Sequence, residues 1–280
     1  MKRIPMHPAA AFLLASVFWL SCTQVVFATP IRDSLDFQNN AFGAGDHGSY
    51  EANVDGVFPN SVASSPRWGV TTSGSSTATV ADGILSMDAS ASGGTTRNYF
   101  ANGSAATNAD NFWNVSDATG WTVEIRAQVH SAILTGGTKA AMNINSRSSA
   151  TSGRLWLGDD DIFWNTGDVD DPFIYFSMDA TEDFHVYRMA KHPGENRFSL
   201  WVDGQLFADD LPGVSTTTAN LIFGDPGNGV RGAVDIDYVR WDKTGAFAPV
   251  PEPGGFTLMM FAFSTFGVFR RRRRRRRAGF

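Results

Sequence analysis

Several large aromatic residues in the middle of the chain could bind a sugar ring. Trp156 lies between Leu155 and Leu157, so an alternating strand would place its ring on the face opposite to the leucines. Sugar sites stack aromatic faces on the rings and surround them with hydrogen-bonding groups. The candidates are Trp156, Trp164, Tyr175 and Trp68. The alternative interpretation is that these aromatics pack the core or cover its edges.

A dense acidic cluster lies in the same region. Its members are Asp159, Asp160, Asp161, Asp168, Asp170 and Asp171. Calcium takes about six to eight oxygen ligands, and carboxylates on a turn can supply several, so Ca2+ is a candidate cofactor. The spacing does not match an EF-hand, and solvated turn aspartates are the alternative interpretation.

Other catalytic and nucleotide-binding motifs are missing or out of context. The histidines form no HExxH or other metal-ligand spacing, and the chain has no G-x-S-x-G elbow. Two G-x-G-x-x-G matches begin at Gly43 and Gly227. Neither opens a predicted helix after a strand, so we assign both to chance.

The net charge of −5 hides a strongly acidic body. Leaving out Lys2, Arg3, Glu252 and the arginine run 270–277 reduces 23 basic and 28 acidic residues to 13 and 27, or −14. Such a body does not suit phosphate-backbone binding, so we expect no nucleic-acid partner. Cys22 is the only cysteine, so the rest of the chain has no disulfide.

Short runs of strand character, separated by turn residues, extend from about residue 31 to 247. The predicted strands are 78–88 (turning at Asp82-Gly83), 97–101, 121–129, 139–145, 153–158, 161–164, 172–178, 184–191, 197–202, 205–207, 219–224 and 233–241. Asp203-Gly204 is a further strong hairpin signal. The segment 43–78, rich in Gly, Ser and Thr, is expected to be loop. About a dozen strands without helical periodicity predict an all-β sandwich or barrel.

Three of these segments carry a family resemblance. They are 184–189 (FHVYRM), 198–204 (FSLWVDG) and 234–241 (VDIDYVRW). They resemble the second half of a concanavalin A-like lectin/glucanase domain, in which a Y-R strand, a W/Y-V-D-G hairpin and a D-Y-V-R strand follow one another. The match covers roughly residues 118–242. It implies a concanavalin A-like jelly-roll β-sandwich, also called laminin-G-like.

Because this family includes glucanases, the resemblance makes glycoside hydrolysis the enzyme alternative. Hydrolysis needs two carboxyl groups, about 5–5.5 Å apart for retention or about 6.5–9.5 Å apart for inversion. The glucanase branch carries them on one strand, as E-x-D-x-x-E or E-x-D-x-E. Here Arg126 stands where the Asp after Glu124 should be, and no second Glu follows.

A second acidic pair lies on the closing strand. Asp235 and Asp237 share one face by the two-residue period. We expect Asp237 to be structural, capping or pairing with Arg240 or Arg188. No catalytic residue is therefore assigned.

The N-terminus is typical of a secretory signal peptide. Lys2 and Arg3 are basic, 9–20 is apolar, and Val26-Phe27-Ala28 offers small residues for cleavage after Ala28. A retained anchor is the alternative, but the apolar stretch is short for a span of about 20 residues. A lipoprotein interpretation of Cys22 also remains, although Trp19-Leu20-Ser21 fits the usual lipobox poorly.

The C-terminus combines three features. Pro251, Glu252 and Pro253 precede an uncharged apolar span, 254–269, close to the lower limit for a transmembrane helix. The arginine tail follows directly, and its members are Arg270, Arg271, Arg272, Arg273, Arg274, Arg275, Arg276 and Arg277. By the positive-inside rule, this stop-transfer element holds that end in the cytoplasm.

These three features in this order resemble the PEP-CTERM sorting signal of bacterial surface proteins. The resemblance implies recognition by an exosortase, a membrane enzyme that processes the tail near Pro-Glu-Pro, and a cell envelope rich in exopolysaccharide. A plain tail anchor is the alternative.

Together these features predict a signal peptide (1–28), a concanavalin A-like β-sandwich (29–247) and a sorting signal (248–280). We expect an exported protein, anchored in the inner membrane before sorting and then held at the cell surface or in the extracellular matrix. Its expected role is non-enzymatic, as a binding or structural component that binds carbohydrate, with polysaccharide as the partner. A divergent glycoside hydrolase and a purely structural surface protein are the alternatives.

Overall fold

The computed structural model describes residues 47–52, 68–91, 97–103, 113–135, 137–227 and 230–249. The strands are β1 (His47–Glu51), β2 (Gly69–Ser73), β3 (Thr77–Ala81), β4 (Ile84–Asp88), β5 (Arg97–Gly103), β6 (Trp121–Ala132), β7 (Leu134–Thr135), β8 (Thr138–Lys139), β9 (Met142–Arg147), β10 (Thr151–Leu157), β11 (Asp161–Asn165), β12 (Phe173–Ser177), β13 (His185–Lys191), β14 (Arg197–Val202), β15 (Gln205–Pro212), β16 (Val214–Ser215), β17 (Asn220–Asp225) and β18 (Gly232–Asp242). The predicted signal peptide, the Pro-Glu-Pro motif, the apolar span and the arginine tail lie outside the described residues. Within those residues, no helix has the length and apolar character needed to cross a membrane.

The first sheet is antiparallel and has the order β15-β14-β13-β6-β18-β4-β3. Its interior strand β18 pairs with β6 on one side. On the other side, Ala233–Ile236 pair with β4, and Tyr238–Asp242 pair with β1. The first described strand is therefore joined to the last.

The second sheet is also antiparallel and has the order β12-β11-β10-β9-β17-β5-β2. β16 adds a short pairing to the start of β10, and β7 and β8 form a separate two-stranded hairpin. β10, β9 and β17 thus occupy the middle of this sheet.

The two sheets pack face to face, because side chains from each meet between them. The ring centroids of Trp164 on β11 and Phe198 on β14 are 5.2 Å apart, and those of Trp68 and Trp241 are 5.8 Å apart. All four rings are buried. A Cβ at Gly153 on β10 would lie 2.6 Å from the Phe198 ring, so this close approach requires glycine. The prediction of an all-β sandwich is confirmed.

Both predicted Asp-Gly hairpin turns are present, and both have the required backbone. The φ angles are 52° and 78° at Asp82 and Gly83, and 50° and 77° at Asp203 and Gly204. A type I′ turn needs positive φ at both central residues, which Asp tolerates and Gly adopts freely. These turns connect β3 to β4 and β14 to β15.

The prediction of a loop over 43–78 is wrong, because β1 and β2 lie within this segment. β1 pairs with the end of β18, and Tyr50 is buried in the core. β2 pairs with β5 at the edge of the second sheet. The Gly, Ser and Thr residues of these two segments do not by themselves indicate a strand. Pairing with another strand, rather than local composition, therefore determines the conformation.

Candidate functional site

The outer face of the second sheet, directed away from the core, carries an aromatic cluster on neighbouring strands. Strand pairing places Trp156 on β10 opposite Phe163 on β11, and Phe163 opposite Tyr175 on β12. Phe173 completes the cluster, with its ring centroid 4.9 Å from that of Trp156 and 6.1 Å from that of Tyr175. Tyr175 is 56% exposed, so the cluster presents an accessible ring at its edge.

Polar side chains continue this face toward the middle of the sheet. On β9, Asn143, Asn145 and Arg147 alternate with Met142 and Ile144, which belong to the main core. The two-residue period of a strand therefore directs both amides and the guanidinium to the outer face. Asn143 pairs with Trp156 across β9 and β10, so the polar strip adjoins the aromatic cluster directly.

A chain of hydrogen bonds fixes two arginines in this strip. Arg147 Nε donates to Asn145 Oδ1 at 2.8 Å, and Ser152 Oγ donates to the same oxygen at 2.9 Å. Arg154 Nε in turn donates to Ser152 Oγ at 3.1 Å. Asn145 and Ser152 are buried, whereas the arginines are half-buried. We call Arg147, Asn145, Ser152 and Arg154 the quartet.

Burial also affects the electrostatics of the quartet. Burial, with a smaller contribution from the nearby positive charge of Arg154, lowers the pKa of Arg147 to about 10. Burial lowers the pKa of Arg154 as well. Both guanidiniums remain charged at neutral pH, so the face holds two neighbouring, partly desolvated positive charges.

Three buried polar atoms on this face have no hydrogen-bond partner. They are Asn143 Oδ1, Asn220 Oδ1 and Trp156 Nε1. Asn143 and Asn220 are only 4% and 3% exposed. Unsatisfied buried groups are uncommon in native proteins, and a bound water or ligand hydroxyl can satisfy them.

The structure separates the four predicted aromatic candidates. Trp156 lies on the outer face, opposite to Leu155 and Leu157 as predicted, and Tyr175 lies near it. Trp164 and Trp68 are buried at 0% and 1% exposure in the main core. These two rings pack between the sheets and are not accessible to a sugar, so Trp164 and Trp68 are no longer candidate sugar-binding residues.

The predicted acidic cluster is not brought together as one cation site. Asp159 and Asp160 contact the ammonium of Lys139, at 2.8 and 3.2 Å, and Asp161 accepts a hydrogen bond from Ser177. Asp168 lies in the loop after β11 and accepts from the backbone N–H of Asp170. Within the part of the chain that the structure describes, no group of three or more His, Cys, Asp or Glu side chains is placed to hold a metal ion. Asp171 belongs to the same loop.

The outer face of the first sheet carries a network of ion pairs. Arg188 Nε donates to Glu124 Oε2 at 2.7 Å, and the Tyr238 hydroxyl donates to Glu124 Oε1 at 3.1 Å. Arg240 donates to Glu51 at 3.0 Å. Burial raises the pKa of the Tyr238 phenol, and the negative charge of Glu124 adds to this effect. Each glutamate is therefore held by a fixed cation.

The expected partner of Asp237 was wrong. Its carboxylate pairs with Arg126, and not with Arg188 or Arg240, which bind the two glutamates. The reason is an irregularity in the pairing of β18 with β6 between Ile236 and Tyr238, which leaves Asp237 beside Arg126. A structural role for Asp237 agrees with this contact.

Sequence reasoning missed the quartet and Phe173. The signal was present on β9, where N-I-N-S-R alternates polar and other residues with a two-residue period. It was weak because Ser146 is polar but faces inward, which blurs the alternation. The pairing of Arg154 with Asn145 depends on strand register, which no local pattern specifies.

No family model matches the chain, and no curated protein matches it. Among solved structures, it is similar to the receptor-binding domain of botulinum neurotoxin D, with a TM-score of 0.45 and 13% identity over 71% of this chain and 49% of that chain. The chain spans about half the length of the neurotoxin chains that it matches.

Two glucanases are similar over their whole length. One is a prokaryotic β-1,3-1,4-glucanase (lichenase) from a mouse hindgut metagenome, with a TM-score of 0.44 and 15% identity. The similarity covers 71% of this chain and 100% of that chain. The β-glucanase of Bacillus licheniformis has a TM-score of 0.44 and 14% identity, over 71% of this chain and 99% of that chain. Since one fold hosts many activities, these similarities do not assign a function to this chain.

Proposed function

We propose that this chain is a non-enzymatic carbohydrate-binding protein, built on a concanavalin A-like sandwich, whose ligand lies on the outer face of the second sheet. The observation that carries the proposal is the direct contact between the aromatic cluster and the polar strip. Rings stack on the apolar faces of sugars, and amides bind their hydroxyls. Tyr175 and Phe173 supply the rings, and Asn143 supplies an unused acceptor.

A binding role suits this face better than hydrolysis does. Glycoside hydrolysis needs two carboxyl groups beside the substrate. The outward positions of β9, β10 and β17 hold amides, guanidiniums, Ser152, Trp156, Ile222 and Gly224. Amides and guanidiniums do not act as acids, bases or nucleophiles at neutral pH. On the other sheet, Glu124 is already held by Arg188 and Tyr238.

The binding test uses a glycan array with the full-length chain in mild detergent. We expect saturable binding that falls about tenfold or more in Tyr175→Ala or Phe173→Ala, since covering a large apolar side chain contributes about 1.5–3 kcal/mol when its burial is complete. The matched aromatic control is Trp201→Ala, on the outer face of the first sheet. Binding that is absent, or that falls equally in the control, contradicts the proposal.

The ends of the chain support a proposal about location. The basic start, the apolar stretch and Ala28 suit export, and the Pro-Glu-Pro motif with its arginine tail suits exosortase processing. We propose that the sandwich is exported, held at the inner membrane by the C-terminal apolar span, and then transferred to the cell surface or matrix.

The location test replaces Pro251, Glu252 and Pro253 together by alanine in the native bacterium. We expect the variant to accumulate in the inner-membrane fraction at its unprocessed mass, because the processing enzyme no longer recognises it. Pro249→Ala, just outside the motif, is the matched control and should be processed normally. Unchanged surface delivery of the triple variant would favour a plain tail anchor or another route.

A further inference from the structure

The two arginines of the quartet differ from three half-buried arginines on the strands of the first sheet. On the first sheet, Arg126, Arg188 and Arg240 each contact a carboxylate. On the second sheet, neither Arg147 nor Arg154 has a carboxylate within salt-bridge distance among the residues that the structure describes. These three guanidiniums are therefore neutralised by carboxylates of the protein, whereas those of Arg147 and Arg154 are not.

An unpaired charge at a half-buried position is costly in free energy, and the repulsion between the two like charges adds to this cost. Moving a charge out of water is unfavourable unless an opposite charge or hydrogen bonds compensate it. The Nε atoms of both arginines bind Asn145 and Ser152, which fixes the orientation of each guanidinium. The terminal nitrogens keep their capacity to donate, and their fork geometry matches an anion with two or more oxygens.

The surroundings of the quartet indicate what carries that anion. Arg154 and Trp156 are two residues apart on one strand face, which corresponds to about 7 Å. This is on the order of the length of one sugar unit in a polysaccharide, so a chain that lies against the aromatic cluster reaches the arginines with its next unit. Asn143 Oδ1 accepts and Trp156 Nε1 donates, and a sugar hydroxyl can do both.

We infer that Arg147 and Arg154 form a subsite for the anionic group of an acidic polysaccharide, a uronate carboxylate or a sulfate ester. This inference rests on the proposed carbohydrate-binding function and names its ligand class. Neutral sugars would leave the two guanidiniums without a counter-ion. Acidic sugars neutralise them and place a ring beside Trp156.

The net charge of the body makes the inference specific to this subsite. Without the ends of the chain, the body carries −14, so it repels a polyanion as a whole. Attraction to an acidic glycan must therefore come from a local positive site. The arginine tail would obscure it, so the parent for the test is the full-length chain with Arg270–Arg277 replaced by glutamine.

The test measures the affinity of this parent by calorimetry for two matched ligand pairs. One pair is a galacturonate oligomer and its methyl ester, and the other is a sulfated dextran oligomer and unmodified dextran. We expect the acidic member of at least one pair to bind about tenfold or more tightly, because hydrogen bonds to a charged acceptor are stronger than those to a neutral one. The pair that responds identifies carboxylate or sulfate as the source of the charge.

Variants assign this preference to the quartet. Arg147→Gln combined with Arg154→Gln should remove the preference for the acidic ligand and preserve any binding of the neutral one. Arg197→Gln is the matched control, because this arginine is exposed and lies on the first sheet. Arg154→Lys keeps the charge without the fork and should retain only part of the preference. If the double variant does not fold, as judged by circular dichroism, the parent's ligand preference and the single variants still decide.

Two results would overturn the inference, and they are distinct from failure of the proposed function. Equal affinity for acidic and neutral ligands leaves carbohydrate binding intact and removes the anionic subsite. Equal loss in Arg197→Gln and in the double variant shows that the charge effect is not local. Failure to bind any ligand of either pair, together with an array without specific binding, contradicts the proposed function itself.

Discussion

Replacing Trp164 by alanine is expected to lower the free energy of unfolding by about 3–5 kcal/mol, the range for removing a large aromatic from a core. Trp164 is fully buried, and its ring packs against Phe198 of the opposite sheet at 5.2 Å. Its indole Nε1 also donates to the carbonyl oxygen of Pro212 at 2.8 Å. The substitution therefore leaves a cavity between the sheets and an unpaired carbonyl. Chemical denaturation with fluorescence detection measures the loss.

The matched control for this prediction is Tyr175→Ala. Tyr175 lies on the neighbouring strand β12 but is largely exposed on the outer face. Exposed substitutions of this kind usually change stability by about 0.5 kcal/mol or less. A similar small change for Trp164→Ala would show that this ring does not hold the two sheets together.

Removing Arg188 is expected to cost up to about 3–5 kcal/mol of stability. Its buried partner Glu124 would keep only the Tyr238 hydroxyl and the more distant Arg240 guanidinium, 3.9 Å away, to compensate its charge. The Arg188 and Glu124 side chains are 12% and 9% exposed, and they are cross-strand neighbours on β13 and β6. Arg188→Met keeps the apolar stem but removes the guanidinium. The double variant Arg188→Met, Glu124→Leu should recover most of the loss, since an apolar pair needs no counter-ion.

An exposed ion pair is the control for this cycle. Arg197 and Asp210 are 46% and 69% exposed and lie 3.3 Å apart. Screening by water limits such pairs to about 1 kcal/mol or less. If Arg188→Met costs no more than Arg197→Met, the network on the first sheet does not contribute through burial. If the double variant is as unstable as the single one, packing rather than charge explains the loss.

The strands could be predicted where hydrophobic and polar residues alternate or where an Asp-Gly turn marks a hairpin. Trp156 is an example, because Leu155 and Leu157 define the inward face and the tryptophan must take the other. Trp164 could not be assigned in this way. Its strand reads Asp-Ile-Phe-Trp-Asn, in which three successive apolar residues conceal the alternation. The pairing of Leu155 with Trp164 and the complete burial of the indole ring show that this side chain faces the core.

The candidate site was only partly accessible to prediction for a related reason. Its members come from β9, β10, β11, β12 and β17, and they meet through the order of strands in the sheet. Strand order and register depend on contacts between distant segments, which a single sequence does not display. The aromatic rings stand out by their size, whereas Asn143 and Arg147 have the sequence character of ordinary surface residues. Only the structure shows that Asn143 is buried and Arg147 half-buried on this face.

The position of β18 has a mechanical consequence. Any tension that reaches the sandwich from its C-terminal side enters through Asp242, at the end of a long strand in the middle of a sheet. β18 is hydrogen-bonded to β6 on one side and to β4 and β1 on the other. A pull along its axis loads these bonds together in shear, so they must fail nearly at once rather than one after another. A domain tethered at this end would thus withstand drag on its bound ligand better than one tethered through an edge strand.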